Sequence, residues 1–348
     1  GQREAVRPRD VYQSHKWFAR RLAVTARSLL VAAGTRALIT PERAGMLAVR
    51  PKYVDVPVLI GLGATIVAIN TRYRSIELQY ILERSAARLL VMQLHFNRID
   101  FPEVLAGLDA AALPALERIA VVDDGAGTPV PADILGRPTT AFAPAGQELA
   151  PQAQAPGREV ILFTTSGTTK GPKLVCHTPA TLACHVQAVA TAYGLAEPGA
   201  RLLAALPLCG VFGLDSVLGA VAGGAPVVLM ELFDGSQAAL LLRQQRITHC
   251  FGSDEMFRRI GEVVDGDAPF PHARIFGFAT FGPGALELVA RLDKRGFPLL
   301  GLYGSSEVQA LFSLQKLSLP IEERVKGGGY PALGALARVR TRDPETGV

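Results

Sequence analysis

The densest run of chemically capable side chains lies between Thr164 and Lys173, reading Thr164-Thr165-Ser166-Gly167-Thr168-Thr169-Lys170-Gly171-Pro172-Lys173, directly after the β-rich run Glu159 to Phe163. Small residues let a backbone bend around an anion, exposed N–H groups and Ser/Thr hydroxyls donate to phosphate oxygens, and Lys173 adds a point charge. The composition is that of a phosphate cradle or of a flexible polar loop. It is not a Walker loop, because no Ser or Thr follows the lysine and the glycine spacing differs. A second group, Tyr303-Gly304-Ser305-Ser306-Glu307, closes another β-rich run, Leu299 to Tyr303. Ligands in open α/β sheets collect at the carboxyl ends of strands. Glu307 is therefore placed either to meet a ligand or to stand in solvent.

Other chemistries find little support. Cysteines at 176, 184, 209 and 250 form no C-x-x-C pair, and the repeat of Cys176-His177 at Cys184-His185 fits no common zinc spacing, so packing accounts for them. A G-x-S-x-G nucleophile elbow is missing. Gly61-Leu62-Gly63 precedes a strand rather than following one, so the segment Gly61 to Tyr73 reads as structural and not as a dinucleotide fingerprint.

Taken together and in this order, the two motifs resemble those of the adenylate-forming superfamily, which includes acyl-CoA synthetases, aryl-CoA ligases, firefly luciferase and peptide-synthetase adenylation domains. Thr165 to Lys173 is similar to the family's phosphate loop, with Lys170 where Gly is usual and Leu174 where Gly follows the lysine. Tyr303 to Glu307 is similar to its Y-G-x-T-E. The resemblance implies that Thr165, Ser166, Gly167, Thr168, Thr169 and Lys173 hold phosphates and that Tyr303 stacks on adenine, with Leu302 and Gly304 beside the nucleotide. It also implies Ser306 near the α-phosphate and Glu307 on Mg²⁺, which makes Lys173, Ser306 and Glu307 the expected catalytic residues. Phe276 to Phe281 takes the place of the family's G-G-A-P turn, so the backbone of Gly277, Phe278 and Ala279 is expected along adenine. Phe278 and Phe281 are either acyl-pocket lining or core residues.

Pro207 to Gly213, P-L-C-G-V-F-G, resembles the P-L-x-H-x-x-G of CoA ligases, with Gly210 in place of the histidine. By this resemblance Gly210, Val211 and Phe212, with Phe281 and Gly301, border the acid. Val211 stands where amino-acid-activating relatives carry an aspartate for the substrate ammonium. An unpaired buried cation is costly, so an uncharged, apolar acyl or aryl group is expected. Asp215 reads as a helix or packing residue. The implied reaction is ATP-dependent activation of a small-molecule carboxylic acid as acyl-AMP, then transfer to CoA. Loading of a carrier protein, or nucleotide binding without catalysis, are the alternatives. ATP, Mg²⁺ and CoA are the implied cofactors, and a homodimer is compatible with the resemblance. It covers the chain and stops where the family's core ends, without the ribose-binding aspartate, hinge or C-terminal domain with its lysine. Weak nucleotide binding and poor turnover are expected of such a core alone.

Elements able to position these groups alternate along the chain in the manner of an α/β fold with mainly parallel sheets. Strands are expected at Ala37 to Thr40, Thr65 to Ile69, Arg88 to Met92, Ile119 to Val122, Val160 to Thr164, Arg201 to Leu206, Pro226 to Met230, Ile247 to Phe251, Arg274 to Gly277 and Leu299 to Tyr303. Helical periodicity marks Val11 to Val31, Ile76 to Ser85 and Ala285 to Arg295. Two doubly wound lobes follow, residues 1–195 with the phosphate loop 164–173, and residues 196–325, before the start of a small β subdomain at 326–348. Proline-rich Gly125 to Gln154 reads as a loop or linker. Alternation from Leu336 to Arg340 reads as an antiparallel strand, and the turn chemistry of Asp343 to Gly347 implies that its partner strand is missing.

The 348 residues allow about two globular units, and 49% hydrophobic against 19% charged residues is too apolar for disorder. Net charge is +5, but the basic residues are scattered, which argues against a nucleic-acid-binding tail. Leu202 to Met230 is the one membrane-like stretch; Asp215 splits it into uncharged runs of thirteen and fifteen residues, short of the roughly 18 that a span needs. It reads as strand, helix and strand of a buried core. Gly1 to Asp10 lacks a following apolar segment, so it is no secretory signal, and unpatterned cysteines suit a reduced, cytoplasmic setting.

Overall fold

The computed structural model describes residues 64–340 except 97, 123–126, 143–156, 166–172, 231 and 281. They fall into two compact units, 64–180 and 181–340. The expected strand at Ala37 to Thr40 and helix at Val11 to Val31 lie outside the described residues.

In the first unit, β1 (Ile66–Ala68) leads through Tyr73 into helix α1 (Ser75–Ser85). Glu77 reaches back to the Arg74 N–H at 3.0 Å and Ala86 ends the helix in the left-handed region, a box and cap that satisfy groups a helix end leaves open. There follow β2 (Leu89–Met92), β3 (His95–Phe96), β4 (Ile99–Asp100) and α2 (Phe101–Ala106), the last capped by Asp100, which accepts from Glu103 N–H at 3.0 Å. Then come β5 (Arg118–Val122), β6 (Asp133–Ile134), β7 (Arg137–Phe142), β8 (Ile161–Thr165) and β9 (Lys173–His177). One sheet has the order β2-β5-β7-β6 and another the order β1-β8-β9. Leu78, Leu82, Leu105, Leu116, Ile119 and Val121 form the core beneath the first sheet.

The proline-rich stretch read as a linker contains a hairpin instead. Ile134 pairs with Arg137 across Leu135 and Gly136, both at positive φ (57° and 64°). That is the backbone of a two-residue hairpin turn whose twist matches its strands. β7 then pairs in parallel with β5, so Thr139 and Thr140 find ladder partners that the local composition did not advertise.

The second unit begins within α3 (Pro179–Ala192) and continues with β10 (Leu202–Ala204), α4 (Val211–Gly223), β11 (Val227–Leu229), α5 (Gly235–Gln244), β12 (His249–Ser253), α6 (Asp254–Glu262), β13 (Ile275–Ala279) and α7 (Ala285–Asp293). It closes with β14 (Leu299–Ser305), β15 (Gln309–Leu314), α8 (Ile321–Arg324) and β16 (Tyr330–Pro331). The sheet order is β11-β10-β12-β13-β14-β15-β16, parallel through β14 and antiparallel beyond. Helices α3 and α4 cover one face, while α5, α6 and α7 cover the other. On the latter side Phe257 stacks on Phe276 at 5.4 Å between ring centres, and Phe270 meets Phe297 edge-on at 5.2 Å.

The apolar stretch 202–230 is β10, α4 and β11, as its interruptions require. Among the described residues no helix is long and apolar enough to cross a membrane. The strand expected at Leu336 to Arg340 is replaced by a 3-10 turn, Gly334–Leu336, and irregular chain with Leu336 and Val339 exposed. Alternation alone does not make a strand where no described neighbour offers it a ladder.

Candidate active site

In the first unit the antiparallel hairpin β8–β9 keeps an unbroken register, from Ile161 opposite His177 to Thr165 opposite Lys173. Thr165 and the exposed Lys173 therefore face each other at its mouth. Ser166, Gly167, Thr168 and Thr169, which complete the loop, lie outside the described residues. Below the mouth the Thr164 hydroxyl lies 3.0 Å from the Tyr73 hydroxyl and donates to the Ala68 carbonyl at 3.3 Å. The chain after β1 thus buttresses the start of the loop.

In the second unit the other predicted residues gather at carboxyl ends of parallel strands. Connections from β10 run to β11 on one side and from β11 to β12 on the other, so the strand order reverses between β10 and β12, where open sheets leave a ligand crevice. After β10, Gly210 caps α4 without a side-chain hydrogen bond, and Val211 and Phe212 open the helix half-buried. A methyl group at Gly213 would stand 2.2 Å from the Pro207 carbonyl, so this tight entry to the helix admits only glycine. One strand beyond β12, Gly277 pairs with Leu300 and Phe278 with Gly301. A side chain at Gly301 would meet the Lys326 carbonyl at 2.3 Å, which bars any larger residue. Phe278 is 1% exposed within the aromatic core. Its ring packs in that core, and the backbone of Gly277, Phe278 and half-buried Ala279 runs to the strand end. Phe281 lies outside the described residues.

Strand β14 carries Leu302, Tyr303 and Gly304 and delivers Ser306 and Glu307 into the turn before β15. Tyr303 is half-exposed and meets Phe312 edge-on at 6.3 Å, while Glu307 is exposed. Directly after this turn the ladder becomes irregular. Ser305 pairs with Gln309 but Tyr303 pairs with Ser313, and Gln309 and Leu311 adopt φ of 66° and 61°. Left-handed conformations cost a non-glycine residue about 1–3 kcal/mol each when the surroundings impose them.

Four contacts from α3, α4 and their flanks impose this one. The Ala310 N–H donates to Asp215 Oδ2 at 2.9 Å, and His185 Nε2 donates to the Ala310 carbonyl at 2.5 Å. Tyr193 Oη donates to the Leu311 carbonyl at 2.8 Å, and Gln309 Nε2 to the Thr181 carbonyl at 2.9 Å. At about 1 kcal/mol apiece such bonds match the strain in size. Burial pushes the Asp215 carboxyl up to about 8, against which the Ala310 hydrogen bond works only in part, and its Oδ1 has no hydrogen-bond partner among the described residues. Nearby, buried His249 donates from Nε2 to the Tyr193 carbonyl at 2.8 Å and is pushed down to about 4 by burial. Sequence reasoning placed Asp215 in packing and overlooked Gln309, His185 and Tyr193 as a group.

Among the described residues no cluster of three or more His, Cys, Asp or Glu side chains could hold a metal by itself. A site built on Glu307 suits a hard cation that takes a single carboxylate together with substrate phosphates, as magnesium does. An open cavity of about 350 Å³, lined by Leu195 to Arg201 and Gly223 to Pro226, lies at the amino ends of β10 and β11, the opposite end of the sheet from these residues.

The profile described as "AMP-binding enzyme" matches residues 59–348, and one for a protein of unknown function (DUF3017) matches residues 12–71. Among curated proteins, the chain is 24% identical over 294 residues to a 2-succinylbenzoate--CoA ligase of Bacillus licheniformis, covering 82% of this chain and 53% of that protein. It is 27% identical over 337 residues to the 2-succinylbenzoate--CoA ligase of Bacillus velezensis, covering 93% and 61%. Among solved structures, o-succinylbenzoate CoA synthetase from Bacillus subtilis in complex with an acyl-adenylate intermediate superposes with a TM-score of 0.60 at 22% identity, over 95% of this chain and 76% of that one. This last likeness carries the fold. The chain spans between half and two thirds of the length of those two curated relatives.

Proposed function

Because the chain belongs to the AMP-binding enzyme family, we propose that its protein activates a carboxylic acid with ATP and passes the acyl group to coenzyme A. The observation that carries this reading is the presence, inside one family match, of a hydroxyl- and lysine-bearing hairpin mouth and a strand-end turn bearing Ser306 and Glu307. A carboxylate is a poor acyl donor because oxide is a hopeless leaving group. Its oxygen instead attacks the α-phosphorus of ATP, expelling pyrophosphate and leaving the acyl group on AMP. The thiol sulfur of coenzyme A then bonds to the acyl carbon as AMP departs and the thiol proton is lost.

In this reading Lys173 and the hydroxyls of Thr165 and its loop bind the phosphates by charge-assisted hydrogen bonds. Tyr303 offers a ring face to adenine beside the backbone of Gly277 to Ala279 and of Leu302 and Gly304, and the Ser306 hydroxyl orients the α-phosphate. Glu307 would hold magnesium, which supplies charge neutralisation on the phosphates. Gly210, Val211, Phe212, Phe281 and Gly301 border the acid. Gly210 leaves the first N–H groups of α4 without a side-chain cap, and such groups favour an anion. Val211 gives a substrate ammonium no counter-charge.

Apolar surface buried in such a pocket contributes about 25 cal/mol per Å², so octanoate and benzoate should be activated faster than acetate or phenylalanine. Acid-dependent pyrophosphate release by the full-length protein measures this. Acetate or phenylalanine as the best substrate would refute the pocket assignment, and no release with any acid would refute the ligase reading.

A further inference from the structure

The buried polar cluster behind the Ser306–Glu307 turn has no part in the chemistry above, yet it is costly to build. Asp215 is fully buried, and one of its oxygens lacks a hydrogen-bond partner among the described residues. Burying a carboxyl with incomplete hydrogen bonding is unfavourable, and a leucine would fill a packing position better. What the carboxyl supplies is an acceptor for the Ala310 N–H. That backbone group sits between the two left-handed residues, Gln309 and Leu311, and its own carbonyl is held by His185.

Asp215 also lies one helical turn after Val211 on α4. In a helix, residues four apart share a face. A single side chain therefore joins the helix whose first turn carries Gly210, Val211 and Phe212 to the strand that begins two residues after Glu307. The two segments are 95 residues apart in sequence at this bond.

We propose that Asp215 is a positioning residue that fixes the turn carrying Ser306 and Glu307 relative to the acid-binding start of α4, through its hydrogen bond to the Ala310 backbone. The proposal rests on the ligase reading for the roles of those two segments, and on the structure alone for the anchor. Displacement of the turn by a fraction of an ångström leaves Ser306 and Glu307 chemically intact but misaligned with the bound acid. The turn is then slow to reach the reactive arrangement, while ATP still binds through the contacts the turn does not supply, those of Lys173, the Thr165 loop and the backbone of Gly277 to Ala279.

The test compares Asp215→Leu, which replaces the acceptor by an apolar side chain, with Asp215→Asn, which keeps its size and an oxygen for the Ala310 N–H. Both are made in the full-length protein, and Asp215→Ala replaces the leucine variant should that one not fold. Amide hydrogen exchange of residues 303–311, read by mass spectrometry, should be about tenfold faster in the leucine or alanine variant with residues 275–279 unchanged. The kcat for acid-dependent pyrophosphate release should fall roughly tenfold to a hundredfold with KM for ATP held within about twofold. Asparagine should restore both to within about threefold of the wild type. Wild-type exchange and kcat in a folded leucine or alanine variant overturns the proposal, as does an asparagine variant as impaired as the leucine. A wild-type protein that releases no pyrophosphate, whose leucine variant still exchanges faster at 303–311, refutes the ligase reading and supports the anchor.

Discussion

The hairpin mouth at Thr165 and Lys173 and the turn at Ser306 and Glu307 both end a β-strand, but the backbone is held differently in each. In the hairpin, five consecutive pairs stay in register, so the sheet's own hydrogen bonds bring the chemical residues to the edge. At the turn the register slips between Tyr303 and Ser305, and side chains of α3, of Tyr193 just after it and of α4 take over from the ladder. A loop on a regular ladder can change its residues without moving its ends. A turn on a broken ladder depends on groups that never meet the ligand.

Substitutions in the two regions sharpen this contrast. The largest effect is expected from Glu307→Gln, which should slow acid-dependent pyrophosphate release by about a hundredfold and leave the melting temperature unchanged, since the residue is exposed. An unchanged rate would remove Glu307 from the metal role. At the hairpin, Lys173→Ala should raise KM for ATP roughly tenfold through loss of one charge-assisted contact, again without loss of fold. If its principal effect were a lower melting temperature, the hairpin mouth would be structural and the contrast would fail.

The smallest effect is a pH dependence confined to the second unit. Asp215 sits at about 8 when folded and near 3.8 when unfolded, so the folded state holds its proton more tightly. Its stabilising contribution is complete below 3.8 and is lost as pH rises towards 8. His249, lowered from 6.5 to about 4, acts in the other sense, and its contribution is lost as pH falls from 6.5 towards 4. The two slopes oppose each other between about pH 4 and 6.5 and only that of Asp215 remains above it, so melting temperature followed from pH 4 to 9 should be nearly flat up to about pH 6.5 and fall from there to about pH 8. Asp215→Asn should remove the alkaline fall, worth a few degrees, and unmask a fall below about pH 6.5 that belongs to His249; an unaltered alkaline slope would show that the carboxyl is solvated.

Much of this architecture was legible from residue pattern. The β-rich runs around Ile66, Leu90, Ile119, Ile161, Leu203, Val228, Cys250, Phe276 and Leu300 are all strands, because short runs rich in β-branched and apolar residues suit a pleated sheet, even in β2, where Leu89 and Val91 stay exposed. Within the described residues, Thr165 and Ala279 end strands, Lys173 begins one, Gly301 to Gly304 lie in β14 with Ser306 and Glu307 in the turn after it, and Val211 and Phe212 open α4. What escaped notice depends on partners. The hairpin 133–142 hides in proline-rich sequence because its turn is Leu135-Gly136 rather than the Asn-Gly pair that announces such turns. Leu336 to Arg340 has the right alternation and no described neighbour. The grouping of Asp215, His185, Tyr193 and Gln309 comes from contacts across 95 to 128 residues, and no local pattern encodes them.

The pairing of β1 with β8 also orders events during synthesis. Thr65 and Glu159, at the start of that pair, are 94 residues apart, and closing a loop of that length costs about 4 kcal/mol of chain entropy before any contact rewards it. The four-stranded sheet β2-β5-β7-β6 lies wholly inside the loop and is made of nearer neighbours. On a ribosome it can assemble while β8 is still within the exit tunnel. Once assembled it shortens the effective distance that β1 and β8 must close. The three-stranded sheet β1-β8-β9, whose β8–β9 hairpin ends in the Thr165–Lys173 mouth, is completed after the four-stranded one.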